Sequence, residues 1–407
     1  MAIFDRAIVG QILGFATVVV AAFGLCVGSF LNVVVWRLPL GMSLNHPGSH
    51  CPKCNHAIRP WENIPILSWL LLRARCSQCG LPISVRYPLV EATNGLLWVA
   101  LWWRLWRSAL PLTHGPAWFF LASLVLAVAL IDLEHFLIPD RLTLTGAIVA
   151  LALALAFPET YALGQGGVHT IFSQGAVSWL GQAACQPHLL ALARLAVGAA
   201  FGYGLLWMVR ALSRRFWGRV VTRPKAPTEL RVADGALRVQ GQEAVSLGQL
   251  LLHPEDRIAV EIVSGHLGRQ EGKGENWAEG QVTIGRKGVC HGGTDVPWEE
   301  ITELRVQAKS WAVPREVLGL GDLKLMAVLG AFLGPDAALF IAAFGALLGL
   351  VVGGGWVLAT RQRRLAVPFG PFLAAAALVW LFVGPELLSA YSAWLLAGVH
   401  FVLGPSL

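Results

Sequence analysis

Long apolar runs alternate with short polar segments over most of the chain. A helix needs about 20 largely apolar residues to cross a bilayer, and eight segments approach that length. They lie near 7–29, 89–106, 116–133, 142–158, 189–212, 320–334, 337–358 and 366–384. The first run stays apolar to residue 36, beyond a signal-peptide core of about 7–15 residues, so we predict a retained first helix. A last apolar stretch at 388–404 either spans the membrane or lies at its interface.

A different pattern occupies residues 228–309. Short, partly alternating runs at 230–232, 236–239, 258–263 and 281–284 are separated by Gly, Asp and Asn turns. Such alternation is typical of half-buried strands. We therefore predict a small β-rich unit here, in which the polar segment 265–280 is mobile.

The composition supports a membrane protein. Hydrophobic residues make up 56% of the 407 residues and charged residues 14%, against roughly 45–50% and 25% in soluble domains. These figures exclude a disordered chain, a coiled coil, a nucleic-acid-binding domain and a small secreted scaffold. The net charge of +7 fits the excess of Lys and Arg in the cytoplasmic loops of membrane proteins.

The distribution of basic residues predicts an orientation. Lys and Arg concentrate in 37–88, 214–225 and 361–364, whereas 159–188 has neither. We therefore expect the N-terminus outside the cytoplasm, and 37–88, 134–141, 214–315 and 361–365 inside it. Arg104 and Arg107, at the outer end of the second span, run against this assignment.

Four cysteines form the pairs Cys51-Pro-Lys-Cys54 and Cys76-Ser-Gln-Cys79, with 21 residues between them. Two such knuckles can complete a tetrahedral four-thiolate zinc site. Two disulfides are the alternative, but reducing conditions in the cytoplasm disfavour them, and an iron–sulfur cluster is a third possibility. Because four protein ligands close the shell, we expect structural zinc. His46, His50 and His56 flank the first knuckle as substitute ligands.

Outside 214–315 the chain has eleven acidic residues, and an acid at the edge of hydrocarbon is a candidate functional group. Asp132 ends a long apolar run, and Pro139-Asp140 precedes the fourth predicted span. We expect Asp140 to cap that helix, and Glu134 and His135 to be a solvated turn.

A second acidic motif is Gly319-Leu320-Gly321-Asp322-Leu323-Lys324. Its glycines permit close approach of another chain, and the carboxylate suits a helix start. Two aspartates at one membrane face are compatible with an aspartic-protease pair that shares a proton. The sequence alone does not bring Asp132 and Asp322 together.

The chain resembles the type IV prepilin peptidases, the bifunctional leader peptidases and N-methyltransferases of pilus and type II secretion systems. The resemblance rests on ordered motifs at 28–33, 37–39, both CxxC pairs, 61–65, 68–69, 83–91, 131–140 and 319–325. It covers essentially the whole chain except 214–315.

The resemblance implies a GxGD-type membrane aspartic protease of the bacterial inner membrane, with Asp132 and Asp322 catalytic and the four cysteines on zinc. Gly319, Gly321, Lys324, Pro139 and Asp140 belong to the supporting motifs. Such enzymes cleave the leaders of prepilins and pseudopilins at the cytoplasmic face. They then methylate the new N-terminal residue with S-adenosylmethionine, for which the 37–88 loop is the suspected site. No nucleic-acid partner is implied.

Two features depart from the family pattern. The loop before the sixth span is usually short but is about 100 residues here, and Ala74 stands where the family usually has glycine, in the loop linked to methylation. A peptidase without methyltransferase activity is therefore one alternative. A non-enzymatic secretion scaffold and a proton-coupled transporter using Asp132, Glu91 and Asp322 are remoter ones.

The predicted fold class is an all-α polytopic membrane protein of about eight transmembrane helices, with a cytoplasmic zinc-binding loop and a small β-rich cytoplasmic insertion. We divide the chain into a first helix at 1–36, the zinc-binding, methyltransferase-associated loop at 37–88, helices two to five with the first catalytic aspartate at 89–213, the insertion at 214–315, and C-terminal helices with the GxGD motif at 316–407.

Overall fold

A computed structural model describes residues 6–108, 110–162, 187–241, 243–251, 256–269, 274–314, 318–360 and 368–403. The chain divides into two compact units, Met1–Trp207 with Leu320–Leu407, and Met208–Gly319. The first unit is helical and the second is built on a β-sheet.

Helices occupy every predicted apolar segment. They are α1 (Arg6–Arg37), α2 (Leu67–Leu71), α3 (Arg86–Arg107), α4 (Gly115–His135), α5 (Asp140–Ala156), α6 (Pro158–Ala162), α7 (Pro187–Trp217), α8 (Leu247–Leu250), α9 (Leu320–Leu333), α10 (Pro335–Thr360) and α11 (Gly370–Leu403). The short helix α8 belongs to the second unit. Because α11 is continuous from Gly370 to Leu403, the parts of the predicted segments 366–384 and 388–404 within those bounds form one helix and are not separated by a turn.

Four helical segments among the described residues are long and apolar enough to cross a membrane. They are Gly10–Arg37, Leu112–His135, Pro187–Phe216 and Pro335–Trp356, and Gly370–Gly384 is a shorter apolar segment. The expected number of about eight is therefore not confirmed. Helices α5 and α9 have 17 and 14 residues, fewer than the roughly 20 of a full span.

Helix α4 is the central helix of the first unit. Of the 18 residues in its apolar stretch, 61% are buried, against 22–28% in the corresponding stretches of the other three candidate spans. A buried polar network joins it to α1 and α3. Asn94 donates to the Gly24 carbonyl (2.7 Å), and the Ser123 hydroxyl donates to Asn94 Oδ1 (2.9 Å) and accepts from Trp98 Nε1 (2.9 Å). These bonds satisfy polar groups that would otherwise be costly to bury.

Helices α7 and α9 meet at backbone contact. A Cβ built on Gly198 would lie 2.1 Å from the Gly330 carbonyl oxygen, and one on Gly202 would lie 2.3 Å from the Met326 carbonyl oxygen. The glycine pair four residues apart therefore allows the close approach that small residues provide between membrane helices.

The presence of Arg104 at the end of α3 is explained by its ion-pair partner on another helix. Its Nη1 and Nη2 donate to the two Glu386 carboxylate oxygens (2.8 and 3.0 Å), and its Nε donates to the Leu381 carbonyl (2.7 Å). A bidentate pair of this kind is geometrically specific. Arg104 thus joins α3 to α11, a role that a count of basic residues does not reveal.

The second unit is one antiparallel sheet in the order β4-β3-β2-β10-β5-β7-β8-β9, with β1 also paired to β10 and β6 to β5. The strands are β1 (Arg219–Thr222), β2 (Thr228–Ala233), β3 (Ala236–Val239), β4 (Val245–Ser246), β5 (Arg257–Arg269), β6 (Glu275–Trp277), β7 (Gly280–Gly285), β8 (Gly288–His291), β9 (Thr294–Pro297) and β10 (Ile301–Pro314). The predicted β-rich character is therefore confirmed.

The long strands β5 and β10 form the centre of this sheet. Alternate residues such as Ile258, Val260, Leu304 and Val306 are buried in its core. The expectation of a mobile 265–280 segment is wrong for residues 265–269 and 275–277, which are strands. Pairing with the distant β10 supplies hydrogen bonds that the local glycines do not indicate. Residues 270–273 lie outside the described part of the chain.

Replacing Gly198 with Ala should destabilise the helical unit by about 1–3 kcal/mol, because the new methyl group overpacks the contact with Gly330. Gly204 on the same helix is the matched control, since a Cβ there meets no atom within 4 Å. Gly204→Ala should be neutral or stabilising by up to about 1 kcal/mol. Thermal unfolding of both variants in detergent tests the pair, and equal stabilities would contradict the contact.

Candidate functional site

The first cysteine knuckle is a tight turn. The Asn55 N–H donates to the Cys51 carbonyl (2.9 Å), and the Cys51 N–H donates to the His56 carbonyl (2.9 Å). Asn55, directly after the second cysteine, has φ 54°, a left-handed conformation that Asn tolerates better than most residues. The turn presents Cys51 and Cys54 on one side.

The second knuckle repeats this geometry. The Gly80 N–H donates to the Cys76 carbonyl (3.0 Å), and the Cys76 N–H donates to the Leu81 carbonyl (2.8 Å). Gly80, at the position equivalent to Asn55, has φ 70°. The two CxxC motifs are therefore two copies of one backbone turn.

The four sulfur atoms converge. All lie within 4.8 Å of one another, and Cys51–Cys79 and Cys54–Cys76 are 3.7 and 3.9 Å apart. A disulfide requires about 2.05 Å, whereas the edge of a tetrahedron with Zn–S bonds of about 2.3 Å is about 3.8 Å. The donor set therefore fits one tetrahedral metal ion. No histidine joins this group among the described residues.

The knuckle backbone also favours thiolate at Cys51. Hydrogen bonds from the backbone N–H of Cys54 and then of Lys53 lower the pKa of the Cys51 thiol to about 6. The hydrogen bond from the His56 backbone lowers the pKa of Cys54, but partial desolvation and the three neighbouring sulfurs together raise it to about 11. The thiol nearest to deprotonation is thus the buried one, and thiolate is the form that binds metal.

Glu62 braces the two knuckles from the side. Its Oε2 accepts from the Arg59 backbone N–H (3.0 Å) and contacts His56 Nε2 (3.1 Å). The Arg59 N–H, the Ser77 hydroxyl and His56 together lower the pKa of Glu62 to about 2. This carboxylate is therefore ionised at neutral pH, and it engages His56 instead of leaving that ring to a metal.

A buried carboxylate of α3 holds the loop that follows. Glu91 is 7% exposed, and its Oε2 accepts from the Ile66 N–H (2.8 Å). Ile66 has φ 62°, an outlier for a β-branched residue that costs roughly 1–3 kcal/mol and persists only when its surroundings enforce it. Gly28 packs directly on Glu91, where a Cβ would lie 2.7 Å from its Cα.

Ala74 also adopts a left-handed conformation. It has φ 57°, and both its backbone groups are bonded, its N–H to the Trp69 carbonyl (2.8 Å) and its carbonyl to the Ile83 N–H (2.7 Å). An L-residue costs roughly 1–2 kcal/mol in this conformation. Glycine would fit without that cost, which is a physical reason for the glycine that the family usually has at this position.

Asp132 lies in the last turn of α4, and it is 5% exposed. Its Oδ2 accepts from the backbone N–H of Gly370 (2.9 Å), the first residue of α11. A helix N-terminus favours a negative charge. A Cβ on Gly370 would lie 2.6 Å from Asp132 Oδ2 and 3.2 Å from Ile138 Cδ1, so only glycine permits this approach.

The GxGD motif contacts the same turn. A Cβ on Gly321 would lie 2.9 Å from Ile138 Cβ, so the close approach predicted for this glycine is to the chain's own 136–139 turn. Helix α9 begins at Leu320, between the two motif glycines, and Asp322 lies in its first turn, half-buried. Ile138 thus lies between Gly321 and Gly370.

Lys324 strengthens this junction. Its Nζ lies 2.6 Å from Asp140 Oδ1. The expected capping role of Asp140 is wrong: Pro139 is the N-cap of α5 and no side chain caps that helix end. Asp140 is one position too late, and its carboxylate engages Lys324. Gly319 immediately precedes α9.

The exposure expected of Glu134 and His135 is confirmed, although both lie in the last turn of α4 and not in the turn that follows it. Glu134 and His135 side chains are 42% and 35% exposed. Glu134 forms an ion pair with Arg86 at 2.5 Å, at the start of α3. This contact ties the end of α4 to the end of the cysteine-containing loop.

Comparison with known proteins identifies the family. Residues 22–105 match the model of the bacterial peptidase A24 N-terminal domain. A prepilin leader peptidase/N-methyltransferase of Aeromonas salmonicida is 36% identical over 243 residues, which cover 45% of this chain and 79% of that protein. The chain belongs to the prepilin leader peptidase/N-methyltransferase family. The predicted resemblance is thereby confirmed.

Two further relatives extend the family match. A prepilin leader peptidase/N-methyltransferase of Myxococcus xanthus is 52% identical over 132 residues, which cover 32% of this chain and 38% of that protein. Another, of Aeromonas hydrophila, is 28% identical over 399 residues, which cover 91% of each chain. No solved structure matches the chain. The A24 N-terminal match spans both knuckles, Glu62, Glu91 and Ala74.

Three residues of this prepilin peptidase family member have roles that its sequence did not indicate. Gly370 is one of many glycines in apolar runs, and only its contact with Asp132 distinguishes it. Glu62 and Glu91 stood in recognisable motifs, but the atoms they engage are backbone N–H groups. A rare acid next to a zinc loop is the one signal that singles them out in advance.

Replacing Ala74 with Gly should stabilise the second knuckle locally by about 0.5–1 kcal/mol, because it removes left-handed strain. Ala57, which has no positive φ and bridges to His50 beside the first knuckle, is the control: Ala57→Gly should destabilise by a similar amount. Hydrogen exchange of the 69–83 amides checks the first variant and that of the 49–58 amides the second. We expect slower exchange after Ala74→Gly and faster exchange after Ala57→Gly. A change in the same direction for both variants would contradict the left-handed strain at Ala74.

Proposed function

We propose that this protein cleaves the leader peptides of prepilins or pseudopilins and then N-methylates the new N-terminal residue. The observation that carries the proposal is the buried Asp132 carboxylate, held at a helix N-terminus beside the turn that packs on the GxGD motif. Family membership gives the substrate class, because the relatives are named for this pair of activities.

In the proposed cleavage, Asp132 and Asp322 act as one pair that shares a proton. Two carboxylates at close range do not both ionise readily. The ionised member takes a proton from water as the water oxygen attacks the scissile carbonyl, and the protonated member donates its one proton to the carbonyl oxygen. As the C–N bond breaks, the first member passes the proton from water to the leaving amine, and the second member takes its proton back from the hydroxyl of the tetrahedral intermediate. The Gly370 N–H accounts for one Asp132 oxygen and fixes its orientation.

The four cysteines are proposed to hold a structural zinc ion. Their sulfur spacing fits a closed tetrahedral shell, which leaves no position for a substrate. Zinc would therefore join the two knuckles and stiffen the 37–88 loop. Glu62 would hold the same two turns from outside the shell.

Methyl transfer is assigned to that loop and not to the aspartates. S-adenosylmethionine supplies the methyl group when bound. The protein's part is to place the new N-terminal amine in its neutral form beside the donor and to exclude water. Because Ala74 is accommodated at φ 57° with both backbone bonds made, the departure from glycine strains the loop without breaking it.

The remaining assignments follow from the charge pattern. We propose that α3, α5, α9 and the apolar part of α11 complete a bundle of about eight membrane helices in the bacterial inner membrane. The zinc loop, the aspartates and the β-rich insertion then face the cytoplasm, close to the pilus or type II secretion machinery. A transporter is less well supported, because Glu91 engages the Ile66 N–H as an anchor of the loop.

Asp132→Asn and Asp322→Asn should each lower the rate of leader cleavage by at least about 100-fold, because Asn keeps the shape but handles no proton. Asp295→Asn, in the β-rich unit, is the matched control and should be active. Processing of a purified prepilin, followed by mass spectrometry, is the assay. A near-wild-type rate in either variant would refute the aspartyl pair.

The purified protein should contain about one zinc per chain. Replacing Cys51 and Cys54 with Ser should remove it and increase proteolysis within 37–88, whereas Cys290→Ser should not, because Cys290 lies in the β-rich unit. Elemental analysis combined with a thiol count measures this. Finding iron, two disulfides, or full zinc in the double variant would overturn the assignment.

A further inference from the structure

A cleft opens between the C-terminal turns of α1 and the cysteine-containing loop. Its volume is about 470 Å³, within the range of roughly 300–1,000 Å³ typical of small-molecule sites. One wall is α1, with Ser29, Phe30 and Arg37, and the other includes Asn45 and Asn63. The cleft is thus formed by both the membrane helix and the loop to which methylation is assigned.

Arg37 is the one charged residue among the described residues that line the cleft, and it is 7% exposed. Its Nη1 donates to the carbonyls of Ser43 and Leu44 (3.1 and 3.3 Å). Within the described part of the chain, no carboxylate pairs with Arg37 and no hydrogen bond from its Nε or Nη2 is made. A buried guanidinium has five donors and is costly without an anionic partner. The cleft therefore suits a ligand with an anionic group.

The other lining residues indicate what the rest of that ligand is. Ser29, Asn45 and Asn63 offer hydroxyl and amide groups, which can hydrogen-bond a sugar or a base edge. Phe30 offers an aromatic face, on which a planar base can stack. Among the residues that the structure describes, no acidic side chain lines the cleft. A nucleoside joined to a carboxylate matches this combination better than a peptide or a free phosphate.

We propose that this cleft binds S-adenosylmethionine, with Arg37 receiving the carboxylate of its methionine part. The inference rests on the proposed methyltransferase function and names the site at which the donor is held. Arginine suits this role because its planar fork binds a carboxylate with two parallel hydrogen bonds.

The contact between Glu91 and Ile66 positions the loop wall of this site. Asn63 and Pro65 line the cleft, and the next residue, Ile66, is held in its left-handed conformation by Glu91. The strained turn therefore fixes two lining residues relative to α1. Glu91 is a positioning residue for the cleft and does not line it.

The test measures direct binding to the full-length protein in nanodiscs. The probes are S-adenosylhomocysteine and its decarboxylated analogue, which keeps the amine but lacks the carboxylate. The wild-type protein should bind S-adenosylhomocysteine more tightly than the decarboxylated analogue. In Arg37→Gln the affinity for S-adenosylhomocysteine should fall roughly 10- to 100-fold while the analogue binds as before, because a hydrogen-bonded charge is lost for one ligand only. Arg107→Gln, at the exposed end of α3, is the matched control and should leave both affinities unchanged.

A second variant keeps the site testable if Arg37→Gln does not fold. Val33 lines the cleft, and Val33→Phe should weaken both ligands alike by filling it. An unchanged preference for S-adenosylhomocysteine in Arg37→Gln, or unchanged binding in Val33→Phe, overturns the cleft assignment. The cleft assignment is also overturned if the only change in Arg37→Gln is the loss of an effect of phosphatidylglycerol on the protein. That result would assign Arg37 to a lipid phosphate. If wild type binds neither probe, the methyltransferase proposal fails with it.

Discussion

A carboxylate at the membrane edge is held by the backbone of another helix, and the first unit is arranged around that contact. Asp132 ends the most buried of the candidate spans, where a charged group is costly unless it has partners. The N–H of Gly370 is one such partner, and it carries the favourable dipole of α11. Because a side chain at position 370 would collide with the carboxylate, the absence of a Cβ is what permits the bond.

The same principle recurs where the other motif meets this turn. Gly321 allows α9 to pack on Ile138, and Gly198 allows α7 to pack on α9 at the level of Gly330. The glycines therefore form a set of close contacts that runs from α11 through the 136–139 turn to α9 and α7. Helices α5 and α9 are short, and their places in the first unit depend on close contacts with neighbouring helices.

The cysteine-containing loop is attached to the helices by different means. Its two knuckles are braced by Glu62, and its following turn is anchored by Glu91 through Ile66. Glu62 accepts from the Arg59 backbone N–H and also engages the Ser77 and His56 side chains, and Glu91 accepts from the Ile66 backbone N–H. The bonds to backbone groups specify a conformation and not merely a contact. The loop can therefore form a defined wall next to α1.

Much of this organisation could be read from the sequence, and the rest could not for identifiable reasons. Apolar runs located the helices, alternation located the β-rich unit, and cysteine spacing located the sulfur cluster. The β5 extension through residue 269 was missed because its hydrogen bonds come from β10, far along the chain. The cap of α5 was misassigned by one residue, since Lys324 draws the Asp140 carboxylate away. Arg104 read as an orientation signal until its partner Glu386 was seen.

Glycine at position 370 is required to hold the Asp132 carboxylate. The rate at which Gly370→Ala cleaves prepilin tests this requirement most directly. The comparison is Gly354→Ala in α10, where a Cβ meets no atom within 4 Å. We expect Gly370→Ala to insert and retain zinc but to cleave prepilin at least about 100-fold more slowly, since its methyl group displaces the carboxylate, while Gly354→Ala cleaves like wild type. A near-wild-type rate for Gly370→Ala would contradict the account.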